Sequence, residues 1–490
     1  MSNARPDGPT CIADALVLAD AHGEPRRGSL LIEGGSIAAI ANGEDAAALR
    51  ARARHVVEAG GLVAMPGLVN AHHHAYANVL RGTENSLPLE LWALYTVAFG
   101  RALDGEAIRL AILLGAAEML RAGVTACIDH FPHVGFAEAA YRAHRESGMR
   151  VGFAPFLHDI HDHDFLAIDL PGDLRARLGG AGFPPHERIA ALFDGMVAQA
   201  RGDGDRVAIL LGPNAPQRCS PALLDLWRRL RDRHGLVVHT HLLETWAQAA
   251  ASRAKWPGGL VGEMERQGLL HEGLAVAHAV WLTDAERELL ARHRVVVSHN
   301  PASNLMIGSG IMPFATHRAL GVTMGLGSDS ANTGGGADLF EIMRLAMMLP
   351  RVATRDWDAW PKPAEVLAMA TAGGAAALGR ARELGRLEAG ARADLVLLDL
   401  SISAAAAAAP STATIVQHGG PAAVRAVMVD GAWALRDGRI LAFDEGKVRG
   451  DFAAFAPRIL AAAAPALGLA REVAEAIGRS PAIRAAPPSH

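Results

Sequence analysis

Eight apolar runs, each closing on a polar residue, constrain this chain more than any other feature of its sequence. They are GLVNAHHH, VTACIDH, VGFAPFLH, VAILLGPN, LVVHTH, LAVAH, VVVSH and VTMGLGSD, spread over residues 65–384 and separated by helical patterns. Runs that stay apolar throughout are expected of strands buried on both faces, and their alternation with helices indicates a parallel α/β fold. Eight such units predict a (β/α)8 TIM-type barrel, whose active site assembles at the C-terminal ends of the strands. Those ends carry His74, His130, His158, Asn214, His241, His278, His299 and Asp329.

Shorter strand-like segments punctuated by glycine occupy both ends of the chain. They predict a small β-sandwich built jointly from residues 1–64 and 385–446, with the barrel over 65–384 and an Ala-rich helical tail over 447–490 that ends in RAAPPSH. Two connections are long, residues 75–105 after the first strand and 158–185 after the third. Connections of this length in a compact fold are usually functional, and here they would cover the barrel mouth.

Charge and cysteine content exclude several function classes. Lys plus Arg number 47 against 51 Asp plus Glu, a net charge of −4, which gives no electrostatic reason to bind nucleic acid or an anionic membrane. Cys11, Cys127 and Cys219 are far apart and odd in number, so neither a disulfide framework nor a thiolate zinc site is expected, and a reducing cytoplasm fits. The first residues lack the apolar stretch of a signal peptide, and no uninterrupted apolar run of membrane-spanning length is read. The expectation is a cytoplasmic protein with a small-molecule partner, and a dimer as the default assembly.

The histidines carry the chemistry. On a strand, residues two apart share a face, so His72 and His74 point together into the mouth while His73 points away. Neutral imidazoles are the commonest metal ligands, although one HxH alone is a weak signal. His241 closes the fifth strand and Glu244 follows three residues later, an arrangement that suits a metal ligand with a nearby general acid/base. His239 shares the face of His241 but lies lower, as a packed, hydrogen-bonded core histidine would. His278 and Asp329 end the sixth and eighth strands. Each residue alone is explained by strand-end hydrogen bonding; five converging on one mouth are not.

The segments PGLVNAHHHA, HLLET, AHAVWLT, SHNPASNLMIGSGI and GLGSDSANTGGGADLFEIMRLA resemble the amidohydrolase superfamily. Within it they are most similar to the cytosine-deaminase-like branch, with its S-adenosylhomocysteine/methylthioadenosine deaminases, guanine deaminases and triazine hydrolases. The resemblance implies one divalent metal ion per chain, Zn²⁺ with Fe²⁺ as the alternative, held by His72, His74, His241 and Asp329. It implies that Asp329 takes the proton of a metal-activated water, that Glu244 protonates the heterocycle and that His278 stabilises the new oxygen. Binuclear relatives use a lysine at the end of strand four; here that strand ends GPNAP, and Lys255, Lys362 and Lys447 lie elsewhere.

The implied reaction is hydrolytic deamination of an aminated purine, pyrimidine, pterin or triazine, with release of ammonia. The alternative is hydrolysis of an amide, urea or carbamate, or dechlorination of a triazine, at the same site. Glu84, Trp92, His130, His158, Asn214, Gln217 and His299 are the candidate substrate contacts. Asn85 and Ser86 stand where many relatives have paired acidic residues, and Asn214 stands where adenosine-type relatives have histidine. The run HDIHDHD (158–164) is read as a solvated surface segment rather than a second metal site.

Overall fold

A computed structural model describes residues 5–178, 183–401 and 409–486. Residues 179–182 of the second long connection and the last four residues of the RAAPPSH tail lie outside the described residues.

The chain is α/β, with parallel strands that alternate with helices. In chain order the central strands are Leu68–His74, Val124–Phe131, Arg150–Leu157, Val207–Ile209 with Gly212–Pro213, Val238–Leu242, Leu274–His278, Val296–His299, and Met324–Leu326 with Asp329–Ser330. They form two parallel sheets. Two connections join these sheets. One is the parallel bridge between Leu211 and Val238. The other is the eighth run, whose first half pairs with Val296–His299 and whose second half pairs with Leu68–His74. Gly327 sits at that break because nothing larger fits: a Cβ there would lie 2.3 Å from Asn300 Oδ1 and 2.8 Å from His72 Cβ.

Local sequence explains the helices between the strands. Asp104 caps Gly105–Arg121 by accepting from the amides of Glu106 and Ala107, satisfying donors the helix cannot. Thr283 and Glu286 form a reciprocal capping box at Asp284–Arg292. Pro221–His234 starts on Ser220 with proline at its first turn and stops at Gly235, which adopts the left-handed conformation.

Strands from both chain ends form one continuous nine-stranded sheet. Its N-terminal part meets its C-terminal part where Val63–Pro66 pairs antiparallel with Leu395–Leu398. The helix Glu445–Ile477 then runs back along Leu89–Gly100 and Gly105–Arg121. By length and composition it is apolar enough to cross a membrane, although Arg458 and Arg471 limit the uninterrupted apolar run between them to residues 459–470. Pro457 and Pro465 lie inside it, and Ile459, Ala463, Ala470, Val473 and Ile477 are buried in the fold.

Candidate active site

Strained backbone marks the place where the strands deliver their side chains. Leu243, His278, Ala279 and Asp329 all have positive φ, at 42°, 74°, 49° and 59°. Non-glycine residues adopt this region at a cost, and such outliers cluster at functional sites. They aim Glu244, His278 and Asp329 into one cavity, which is also lined by His74, Trp92, Asn214 and His241.

His72, His74 and His241 are each fixed through one ring nitrogen. His74 Nδ1 donates to the backbone carbonyl of His130, and His241 Nδ1 donates to that of Asn214 at 2.7 Å. His72 Nδ1 meets His239 Nε2 at 2.7 Å, so His239 orients its neighbour from below. His73 points the other way, against Ser328 Oγ and the Asp329 carbonyl at 3.1 Å each. These bonds leave the Nε2 atoms of His72, His74 and His241 turned inward, the first two against Asp329 and the third against His74.

The inward atoms do not satisfy one another. With Nδ1 carrying the proton, His74 Nε2 and His241 Nε2 present lone pairs to each other at 3.3 Å. Asp329 Oδ1 lies 3.3 Å from Nε2 of both His72 and His74. Two facing lone pairs beside a carboxylate require a positive charge between them. For metal–ligand bonds of about 2.0–2.1 Å the edge of a tetrahedron is about 3.3–3.4 Å, so the donor set fits one small divalent ion. His130 adds to the cluster: one nitrogen from each of His72, His74, His130 and His241 lies within 4.8 Å of the others. It is fully buried with both ring nitrogens unpartnered.

Electrostatics divide the two carboxylates. Burial pushes the Glu244 carboxyl well above its ordinary range, and the nearby charge of Asp329 adds to the effect. Burial acts on Asp329 in the same sense, but the imidazoles of His72 and His74 beside it outweigh that effect and hold Asp329 low. Asp329 Oδ2 also accepts from Ser303 Oγ at 2.6 Å. Glu244 Oε1 accepts from Ser309 Oγ at 3.1 Å. His278 Nδ1 donates to Asn304 Oδ1 at 2.8 Å, which turns Nε2 toward Glu244 Oε2 at 3.5 Å and Asp329 Oδ2 at 3.9 Å. A protonated carboxyl, an ionised carboxylate and an oriented imidazole thus share one side of the cluster.

The other expected contacts divide. Trp92 and Asn214 line the cavity, and Asn214 Oδ1 accepts from Arg218 Nη1 at 2.7 Å. Glu84 turns back onto the Ser86 amide at 2.7 Å and does not line the cavity. Gln217 faces a separate cavity bordered by Pro221 and Trp256. His299 is buried below the mouth, its imidazole lowered to about 3 by burial. His158 stands outside the inner cavity in an adjoining outer chamber, and burial lowers it to about 2. Sequence reasoning missed Tyr76, Thr96, Arg218 and Gln248, which do line the inner cavity. The spacing of Leu89, Trp92, Ala93, Thr96 and Val97, a single helical face, was the available signal for that wall.

Residues 63–434 match the amidohydrolase family. The chain is 34% identical over 397 residues to a 5-methylthioadenosine/S-adenosylhomocysteine deaminase of Desulforudis audaxviator, covering 81% of this chain and 86% of that protein. It is 31% identical over 427 residues to a 5′-deoxyadenosine deaminase of Methanosarcina mazei, covering 87% and 92%. A crystal structure of an adenosine deaminase from Xanthomonas campestris with bound zinc superimposes with a TM-score of 0.81 at 26% identity, covering 92% of this chain and 98% of that one.

Proposed function

We propose that this chain, which belongs to the amidohydrolase family, is a single-metal hydrolytic deaminase of an aminated heterocycle. The observation that carries the reading is the set of inward, mutually unsatisfied donors of His72, His74, His241 and Asp329, with Glu244 and His278 on its open side. In this reading the two parallel sheets are halves of one eight-stranded barrel over residues 65–384, and segments 1–64 and 385–446 make a second, jointly built domain. The names of the relatives put adenosine-type purines first among candidate substrates.

His72, His74, His241 and Asp329 would hold the ion, Zn²⁺ or Fe²⁺. Bound there, it would supply Lewis acidity that makes water nucleophilic at neutral pH. Asp329, ionised and steadied by Ser303, accepts the proton of the attacking water. Glu244 stays protonated in its buried position and donates to the ring nitrogen beside the carbon under attack, which removes the charge that would build up there. His278 Nε2 lies within reach of both carboxylates and stabilises the oxygen that becomes the product carbonyl. Glu244 regains a proton from the hydroxyl that becomes the product carbonyl, and the proton held by Asp329 passes to the leaving amine, which departs as ammonia. Trp92 lies over the cavity as an aromatic wall for a flat ring.

An ammonia-release assay across adenosine-type nucleosides, guanine, aminopterins and aminotriazines tests the reading. It predicts one ammonia per keto product for at least one ring class. Release of an organic amine or of chloride, without ammonia, would replace deamination by the other hydrolytic reaction. No turnover of any of these compounds by metal-loaded protein overturns the reading.

A further inference from the structure

Beside the catalytic cavity lies a second space of about 310 Å³, within the size range of small-molecule sites. Its walls are apolar: Leu94 and Val97 from the helix Leu89–Gly100, Leu166 and Ile168 from the second long connection, and Leu469 and Val473 from the C-terminal helix. The two spaces share Ala93, Val97, Asp162 and Arg218 as lining residues, so they adjoin along these four side chains. The helix Glu445–Ile477 lies beyond the stretch that matches the family.

The charged groups at the junction are already committed. Arg218 Nε lies 3.1 Å from Asp162 Oδ1, and its Nη1 donates to Asn214. Glu90, inside the chamber, accepts from Thr245 Oγ1, and burial raises its carboxyl. His158, His161 and His163 are all lowered by burial and so are neutral near pH 7. Among the described residues, Arg101, exposed and bonded only to the Leu178 carbonyl at 3.4 Å, is the one open cation of the lining. A zwitterionic tail entering this space would therefore lose hydration for at most one partner, whereas an apolar tail would lose only contact with water.

We propose that the chamber receives an apolar substituent of the aminated ring, and that the C-terminal helix makes the enzyme selective for substrates with such a tail. The inference rests on the deaminase reading above. Each methylene buried there raises kcat/KM about three- to fourfold.

The test has two arms on full-length, metal-loaded protein, comparing wild type with Ala466→Trp and Leu469→Trp. Both variants fill the chamber from the helix and lie outside the catalytic machinery; two are used so that one destabilised fold, seen in its melting temperature, does not decide the result. The first arm measures binding of the neutral fluorophore N-phenyl-1-naphthylamine, which reads the chamber without catalysis. The second measures kcat/KM for adenine nucleosides bearing 5′-hydrogen, 5′-methylthio, 5′-butylthio and 5′-homocysteinyl groups. The proposal predicts one bound fluorophore per wild-type chain and at least a tenfold weaker affinity in a folded variant. It also predicts that kcat/KM rises from hydrogen to butylthio in wild type only, with the homocysteinyl compound below the butylthio one. Equal fluorophore binding by wild type and variants, or none, overturns the chamber. So does a kcat/KM indifferent to the tail, or highest for the charged tail. Fluorophore binding as predicted with no ammonia from any nucleoside overturns the substrate assignment through the deaminase reading, and leaves the chamber itself as an apolar site.

Discussion

Two buried polar clusters stand at opposite ends of the parallel strands, and they are built on opposite principles. At the N-terminal ends, Arg150 Nε donates to Asp394 at 2.8 Å and its Nη2 lies 3.3 Å from Asp430. Arg392 joins Asp430 to Asp205, which also receives Arg380. Every carboxylate of this group meets a guanidinium, so its charges are paired, with only Arg150 Nη1 left without a hydrogen-bond partner, and it fastens the central strands to the nine-stranded sheet. At the C-terminal ends, His74 and His241 face each other with lone pairs and neither ring nitrogen of His130 has a hydrogen-bond partner. That cluster is complete only with something from outside. Single unpartnered atoms such as His317 Nε2 occur elsewhere, but lone pairs facing each other beside a carboxylate are what separate a site from structural glue.

The largest expected effect breaks the open cluster. His241→Ala removes an inward donor, and both bound metal and turnover should fall to background together, read by elemental analysis and ammonia release on the same sample. An active, metal-loaded His241→Ala protein would remove this residue from the site. Glu244→Gln keeps size and hydrogen bonding but cannot carry a proton. Its turnover should drop about 10²–10⁴-fold while metal content stays at the wild-type level. Near-normal turnover would reduce Glu244 to a residue at a helix start.

Arg150→Met attacks the charge-paired cluster instead. It strands Asp394 in a buried position and should cost about 3–5 kcal/mol, measured by chemical denaturation. Metal content and turnover of the folded fraction should be unchanged, because the network takes no part in the chemistry. Loss of metal in folded Arg150→Met would mean that the two ends are coupled and the comparison fails.

The smallest effect is a pH dependence located away from both clusters. Burial lowers His133, His271 and His317 to about 4, against about 6.5 in an unfolded chain. The unfolded state therefore binds protons first as pH falls, and stability should decline from about pH 6.5 to pH 4 and level off below. A histidine lowered from about 6.5 to about 4 is linked to at most about 3 kcal/mol over that range, so His317→Asn should flatten the decline by up to about 3 °C in Tm for a chain of this length. An identical profile in the variant would take His317 out of the acid response.

Much of this comparison was legible in the sequence because strands impose a period of two. That period put His72 and His74 on one face and His73 on the other, as their hydrogen bonds show. It also marked His241, His278 and Asp329 as strand ends. Reach into the cavity was not legible. Glu84, Gln217 and His299 sit at plausible positions, yet strand tilt and the return path of each loop carry them elsewhere. The split of the eighth strand around Gly327 depends on a contact with His72 from the far side of the chain, and no local pattern announces it. Arg218 and the C-terminal helix reach the mouth only through tertiary packing, so neither periodicity nor spacing points to them.

The central claim is that the open cluster holds one ion. Its most direct test is the ratio of divalent metal to chain in protein purified without chelator or added metal, measured by mass spectrometry alongside ammonia release. The account predicts one equivalent per chain, lost in proportion to activity as a chelator removes it. Two equivalents per active chain, or full activity with none, would contradict it.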